Sequence, residues 1–194
     1  SWEWSRGRFQ TCFALRSAAG TVLMDCGATS RTAMKASGSD PLDVDTVVLT
    51  HLHGDHFGGL PFLVLDAQFR RRTRPLRVAG PPGTAERLTS AMEALYPGSS
   101  TVQRRFELDV VDIAPDGPPQ RLGDLDVRGI AVDHASGAPS LGVQVTVGRH
   151  RVAYSGDTAW TPALPGLSRD CDLLLLESYT WERSVRYHLS HREI

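Results

Sequence analysis

The segment Thr50-His51-Leu52-His53-Gly54-Asp55-His56-Phe57-Gly58-Gly59 constrains this chain more than any other feature. Four metal-binding side chains fall within six residues, directly after an apolar run over 46–50 that reads as a strand. Histidines at i and i+2 can converge on one cation where a chain leaves a strand. An Asp–His pair turned by Gly54 can then face a second cation beside it. Imidazole and carboxylate suit zinc, iron or manganese, so the residues alone do not choose the metal. The competing reading is a polar surface loop rich in histidine. Three of the seven histidines lie in this one segment, each where the pattern needs it, which argues against that reading.

Around this segment the hydrophobic periodicity alternates short apolar strands with loops and a few helices. Strands are expected at 12–16, 21–25, 46–50, 76–79, 106–111, 125–132, 141–147, 151–155 and 173–177. The turn Ala18-Ala19-Gly20 joins the first two, and Val147-Gly148-Arg149-His150 joins another pair as a hairpin. One helix should follow Gly58-Gly59-Leu60 and run to about Phe69. A second should begin after Gly83-Thr84, with Thr84 as its cap, and run to Tyr96 before Pro97-Gly98 stops it. This pattern predicts an α/β (α+β) sandwich of mixed sheets in a single domain over 1–194, not a doubly wound parallel sheet. Gly80-Pro81-Pro82-Gly83-Thr84 imitates the opening of a phosphate loop, but Ala85, Glu86 and Arg87 follow where that loop needs its lysine. It reads as a turn into a helix.

Composition closes off several other classes. No stretch approaches the ~20 consecutive apolar residues of a membrane-spanning helix, and Ser1-Trp2-Glu3-Trp4 opens without a starting Met or an apolar signal core. A cytoplasmic protein with no membrane partner is the expectation; homodimer formation is left open. Three widely spaced cysteines, Cys12, Cys26 and Cys171, rule out a fully paired disulfide framework and read as buried reduced thiols. A net charge of −1 supplies no global attraction to nucleic acid. The run Arg70-Arg71-Arg72 with Arg74 is the local exception; it reads first as a solvated face and second as a contact for an anion.

The pattern His-x-His-x-Asp-His resembles the signature of the metallo-β-lactamase superfamily, and its continuation His56-Phe57-Gly58-Gly59-Leu60-Pro61 looks most like the tRNase Z and phosphodiesterase branch. Asp25-Cys26-Gly27, Val132-Asp133-His134 and Ser155-Gly156-Asp157-Thr158 match three further motifs of that branch in order, and the likeness extends from Gly7 to Ser190. The resemblance implies a four-layer αββα fold and two metal ions, zinc with manganese or iron as alternatives. It implies that His51, His53 and His134 hold the first metal, that Asp55 and His56 hold the second, and that Asp157 bridges. Taken alone, His134 would read as a loop histidine and Asp157 as a turn residue. Asp25 reads as an acceptor that orients a ligand rather than as a ligand. Downstream, Glu177 ends an apolar strand, and His188 lies in Tyr187-His188-Leu189-Ser190. In the resembling enzymes such a pair protonates the leaving group, which makes Glu177, His188 and Asp55 the candidate catalytic residues. His191 lies close to His188, and Glu177 could equally pair with an arginine.

Two departures from that family shape the expected function. Only residues 135–154 separate His134 from Asp157, where bacterial tRNase Z enzymes carry a long tRNA-gripping arm. With no arm and a net charge of −1, tRNA is not the expected partner. The family's final histidine ligand should lie beyond His188 after one more strand–helix unit, and the sequence stops at Ile194. The expectation is therefore a fold lacking that unit and a second metal short of one ligand. The function implied is metal-assisted hydrolysis of a small phosphodiester or related anionic ester, through hydroxide formed between two metals. A lactonase, thioesterase or arylsulfatase on the same metals, a tRNA 3′-processing endonuclease, and a catalytically silent binding module are the alternatives.

Overall fold

The structure, a computed structural model, describes residues 8–18 and 20–194. The residues Ser1–Trp4, Gly7 and Ala19 of the sequence motifs lie outside them. Two compact units meet in the sequence at Asp112 and Ile113.

In the first unit a five-stranded sheet runs β1 (Phe13–Ser17), β2 (Gly20–Met24), β3 (Val44–Val48), β4 (Leu76–Gly80) and β5 (Leu108–Asp112) in that order. Only β1 is antiparallel to its neighbour; the other three pairings are parallel. Parallel neighbours need crossover connections. Helices α1 (Ser30–Ala36), α2 (Gly54–Phe57), α3 (Leu60–Phe69) and α4 (Thr84–Leu95) lie in those crossovers. Parallel strands covered on both faces read as near-continuous apolar runs. Accordingly Val47, Val48, Leu49, Val78 and Ala79 have no exposed surface. Helix α3 is apolar all round, with Leu60, Leu63, Val64, Leu65 and Ala67 buried, as expected of a core helix rather than a surface one.

Two local readings need correction. Thr84 does not cap α4: its hydroxyl donates to the Pro81 carbonyl (2.6 Å), and Gly83 occupies the cap position. The arginine run is a solvated face at Arg70, Arg71 and Arg74, which are exposed, but not at Arg72. Arg70 makes a two-pronged pair with Asp40 at 2.5 and 2.7 Å, and Arg74 lies 3.2 Å from Asp45. Arg72 is buried and donates to the carbonyls of Arg74, Leu42 and Pro75 at 2.6 to 2.7 Å. Arg72→Ala should therefore cost about 3 kcal/mol in urea unfolding, because it strands carbonyls that a guanidinium now satisfies. A cost below about 0.5 kcal/mol, the usual size for a surface change, would contradict this account.

The second unit holds a sheet in the order β10-β9-β8-β7-β6, built from β6 (Gln120–Leu122), β7 (Leu125–Ala131), β8 (Leu141–Val147), β9 (His150–Tyr154) and β10 (Leu173–Leu175). Pairings are antiparallel except β10 with β9. The expected hairpin closes with Val147 opposite His150 and Gly148 at φ 60°. A short helix, α5 (Leu164–Ser168), packs Leu164 and Leu167 with Ile130, Ala153 and Leu189. Among the cysteines only Cys26 is buried; Cys12 and Cys171 are half-buried, and all three are free thiols. No helix among the described residues is long and apolar enough to cross a membrane.

Candidate metal centre

In the first unit everything is organised around one carboxylate. Asp25 follows β2 with its backbone in the left-handed region (φ 59°), and its N–H donates to the Val48 carbonyl at 2.8 Å. It is fully buried, and it accepts from the Thr50 N–H (2.8 Å) and the Thr50 hydroxyl (2.9 Å). Its Oδ2 lies 2.7 Å from His56 Nδ1. A carboxylate accepts hydrogen bonds, so His56 carries its proton on Nδ1 and donates it. Thr50 gives its single hydroxyl proton to Asp25, and its oxygen, 3.1 Å from His51 Nδ1, then accepts from that nitrogen. In the neutral form both imidazoles then have an unprotonated Nε2. That is the tautomer a metal ligand requires, set through the far nitrogen as in metalloproteins generally.

The histidines themselves cluster. The His51 ring centroid lies 4.9 Å from that of His53 and 4.1 Å from that of His56. Glycines make this compactness possible. A Cβ on Gly27 would sit 2.1 Å from the Asp55 carbonyl oxygen, and one on Gly59 would sit 2.2 Å from the Gly27 carbonyl oxygen. The Asp25-Cys26-Gly27 turn and the Gly58-Gly59 pair thus interlock backbone against backbone. Asp55, on α2, is half-buried, and its carboxylate joins none of the metal-sized donor groups found among the described residues.

In the second unit His134, Asp157 and His188 offer ligand atoms that lie within 4.8 Å of one another. His134 follows β7, and its Nδ1 lies 3.1 Å from the Tyr187 carbonyl. A carbonyl can only accept, so this ring too holds a proton on Nδ1, and in its neutral form Nε2 is bare. Asp157 follows β9 through Gly156, at φ 61°. Glu177 is fixed by the Thr158 N–H, which donates to its Oε1, while its own N–H donates to Ser155 Oγ at 3.0 Å. Its Oε2 lies 3.0 Å from His188 Nδ1, and Asp157 Oδ2 lies 3.9 Å from the same atom. The Tyr179 ring stacks on the His188 ring at 4.6 Å. Glu177 thus pairs with histidine and with no arginine among the described residues, and His191 instead stacks on Trp181 at 4.0 Å.

The hydrogen bond to Glu177 raises the His188 pKa; burial opposes it, and the charges of Glu177 and Asp157 add to it. A group whose pKa is higher folded than unfolded adds stability below its unfolded pKa, about 6.5 for histidine, and loses it as pH rises through the folded value. Metal-free protein should therefore lose stability as pH rises from about 6.5 through that range, and Glu177→Gln should flatten the loss. Equal slopes for the two proteins in denaturant titrations at stepped pH would contradict this pairing.

The donors fit a zinc, manganese or iron ion by their chemistry: imidazoles with bare Nε2 atoms and a carboxylate. Sequence reasoning does not reveal Thr50 as the relay between Asp25 and His51, Tyr187 as the carbonyl behind His134, or Tyr179 as the cover over His188. Thr50 stands within the histidine segment, but its role needs Asp25 in place. Tyr187 acts through its backbone at φ 68°, which no side-chain pattern signals.

A family model described as Beta-lactamase superfamily domain matches residues 20–194. The ribonuclease Z of Lachnoclostridium phytofermentans is 31% identical over 128 residues, which cover 66% of this chain and 40% of that protein. The ribonuclease Z of Methanothermobacter thermautotrophicus is 40% identical over 82 residues, covering 42% of this chain and 27% of that protein. The chain thus spans two fifths or less of the length of these curated relatives. The crystal structure of human tRNase Z, short form (ELAC1), is similar with a TM-score of 0.78 at 22% identity, over 96% of this chain and 80% of that one. The metallo-beta-lactamase fold protein YhfI from Bacillus subtilis is similar with a TM-score of 0.75 at 21% identity, over 96% and 72%. At such identities the likeness is one of fold, and it is the fold expected from the sequence.

Proposed function

Because the chain belongs to the beta-lactamase superfamily, we propose that it is a metal-dependent hydrolase of a small phosphodiester or related anionic ester. The observation that carries this reading is the common state of His51, His56 and His134, each tied through Nδ1 so that Nε2 is left to ligate. On this reading His51, His53 and His134 would hold one cation, Asp55 and His56 the other, and Asp157 would bridge. When bound, such a pair supplies Lewis acidity that lowers the pKa of water and offsets charge on a phosphoryl oxygen. The remaining work falls to side chains. Asp55 orients the attacking water or takes its proton. His188, held through Nδ1 by Glu177, gives the proton on Nε2 to the departing oxygen. Thr158 and Ser155 keep Glu177 in place for that role.

A second reading, tRNA 3′ processing, is favoured by the ribonuclease Z relatives. The expectation that tRNA is no partner rests on the short 135–154 connection and a net charge of −1, and those relatives weigh against it. Elemental analysis after refolding with zinc and manganese should find about one to two metals per chain. Steady-state assays with bis(p-nitrophenyl) phosphate and a 3′-extended tRNA side by side then choose between the readings. Metal below about a tenth of an equivalent, or no turnover of either substrate by metal-loaded protein, would overturn the hydrolase reading.

A further inference from the structure

The second sheet carries a polar concavity apart from the donors above. Alternation along β7 sends Leu125, Val127 and Gly129 to one face and Asp126, Arg128 and Ile130 to the other. Arg128 lies opposite Gln144 of β8, and Arg151 of β9 lies opposite Thr146. The side chains of Arg128, Gln144, Thr146 and Arg151 therefore share a face. Helix α5 covers the far part of that face, where Gln144 Nε2 donates to the Leu167 carbonyl at 2.7 Å. Past the end of α5, Arg169 and Asp170 turn back toward the uncovered part, with Asp170 at φ 55°. A cavity of about 380 Å³ remains, lined by Arg128, Arg151, Arg169, Gln144, Asp116 and Asp170 among others.

Several surface arginines lack a partner among the described residues, but three of them, Arg128, Arg151 and Arg169, converge on this one cavity. Arg31, Arg70, Arg72, Arg74 and Arg121 are all held by carboxylates. By contrast, the side chains of Arg128, Arg151 and Arg169 make no hydrogen bond or ion pair among the described residues. Two carboxylates share the lining and reduce its net charge to +1 without pairing with the arginines. Asp116 accepts from the Ala131 N–H at 3.2 Å, and neither Asp116 nor Asp170 comes within ion-pair distance of an arginine. Two inter-strand spacings, across β8, and an offset of two residues separate Arg128 from Arg151, about 12 Å between their Cα atoms at ordinary sheet spacings. Side chains of this length can close on a tetrahedral anion between them. Guanidinium presents a planar fork of donors that matches phosphate oxygens two at a time.

We propose that Arg128, Arg151 and Arg169 form a phosphate-binding site, which takes phosphate groups of a free diphosphate or of a single-stranded nucleic-acid backbone. The site stands apart from the hydrolytic reading and does not depend on it. Calorimetry on metal-loaded protein, with inorganic pyrophosphate in one arm and hexauridylate in the other, tests it. The comparison is between the wild type and the triple variant Arg128→Gln, Arg151→Gln, Arg169→Gln. The variant should bind at least one probe ten or more times more weakly. It should hydrolyse bis(p-nitrophenyl) phosphate at the wild-type rate, which separates this site from phosphate held at the metals. If hexauridylate is the affected probe, the slope of log affinity against log salt should fall by about two, near 0.7 for each phosphate that is no longer neutralised. A loss confined to pyrophosphate assigns the site to small phosphates, and one confined to hexauridylate assigns it to a strand. Less than a threefold loss for both probes in a folded variant overturns the proposal. Should the triple variant not fold, Arg169→Glu alone, on the exposed turn after α5, repeats the test with the same threefold criterion.

Discussion

Asp25→Asn is expected to weaken zinc or manganese binding by about 10- to 100-fold while costing only about 1–3 kcal/mol of stability. Asparagine accepts the left-handed backbone of this position better than most residues, so the turn survives. Its amide oxygen can still take the Thr50 N–H. Its NH2 group, however, now faces His56 Nδ1, where a carboxylate oxygen stood at 2.7 Å. Two donors cannot share that position. His56 must move its proton to Nε2, the nitrogen that a metal needs bare. Competition with a chelator measures the affinity, and imidazole ¹⁵N shifts report the tautomer. Unchanged affinity together with a flipped tautomer would remove His56 from the ligand set. Asp25→Ala separates the two effects from the other side, because it strands the Thr50 N–H, the Thr50 hydroxyl and His56 Nδ1–H together. Its unfolding midpoint should fall well below that of Asp25→Asn, since each buried donor left unpaired costs about 1–3 kcal/mol.

What can be read from the sequence follows from where the information lies along the chain. His51, His53, Asp55 and His56 fall within one short segment, so spacing alone exposes them. Strand β8 is legible to the residue, because Leu141, Val143, Val145 and Val147 alternate with Gly142, Gln144 and Thr146 between turn residues at both ends. Strand β6 escapes the pattern, since Gln120-Arg121-Leu122 is three residues long and buries only Leu122. Helix α1 escapes it for a similar reason: Ser30–Ala36 buries only Ser30 and Met34, which gives no apolar stripe. Helix α5 contains Pro165 and Gly166, which read as loop until Leu167 is seen packed in the core. The strand expected at 173–177 stops at Leu175. Beyond it the N–H of Glu177 leaves the β9 ladder and turns to Ser155 Oγ, and that departure aims the Glu177 carboxylate. Within the exposed arginine run, Arg72 deceives in the opposite sense, since it is buried. Composition cannot foresee that Asp40, Asp45 and the Leu42 carbonyl come back beside Arg70, Arg72 and Arg74 from thirty or so residues away.

The largest expected effect on turnover belongs to His188, and its geometry admits two roles that one variant separates. His188 lies with His134 and Asp157 in a group of metal-sized dimensions, which would suit a ligand. Its Nδ1 is nearer to Glu177 (3.0 Å) than to Asp157 (3.9 Å), and Tyr179 lies flat against the ring. The carboxylate contact alone resembles that of His56, but the raised His188 pKa keeps a proton on Nε2 to higher pH, which favours the role of proton donor. His188→Ala should therefore keep the metal content of the wild type, whereas His134→Ala and His53→Ala should each lose metal. The turnover number should fall by about 10²- to 10⁴-fold with an alkyl leaving group, which cannot depart without a proton. With p-nitrophenol as leaving group the fall should be much smaller, because that anion leaves unaided. Glu177→Gln should reproduce the leaving-group pattern at lower amplitude, since it loosens the ring without removing it. Metal loss from His188→Ala equal to that from His134→Ala would make His188 a ligand, and the proton donor would then have to be sought elsewhere.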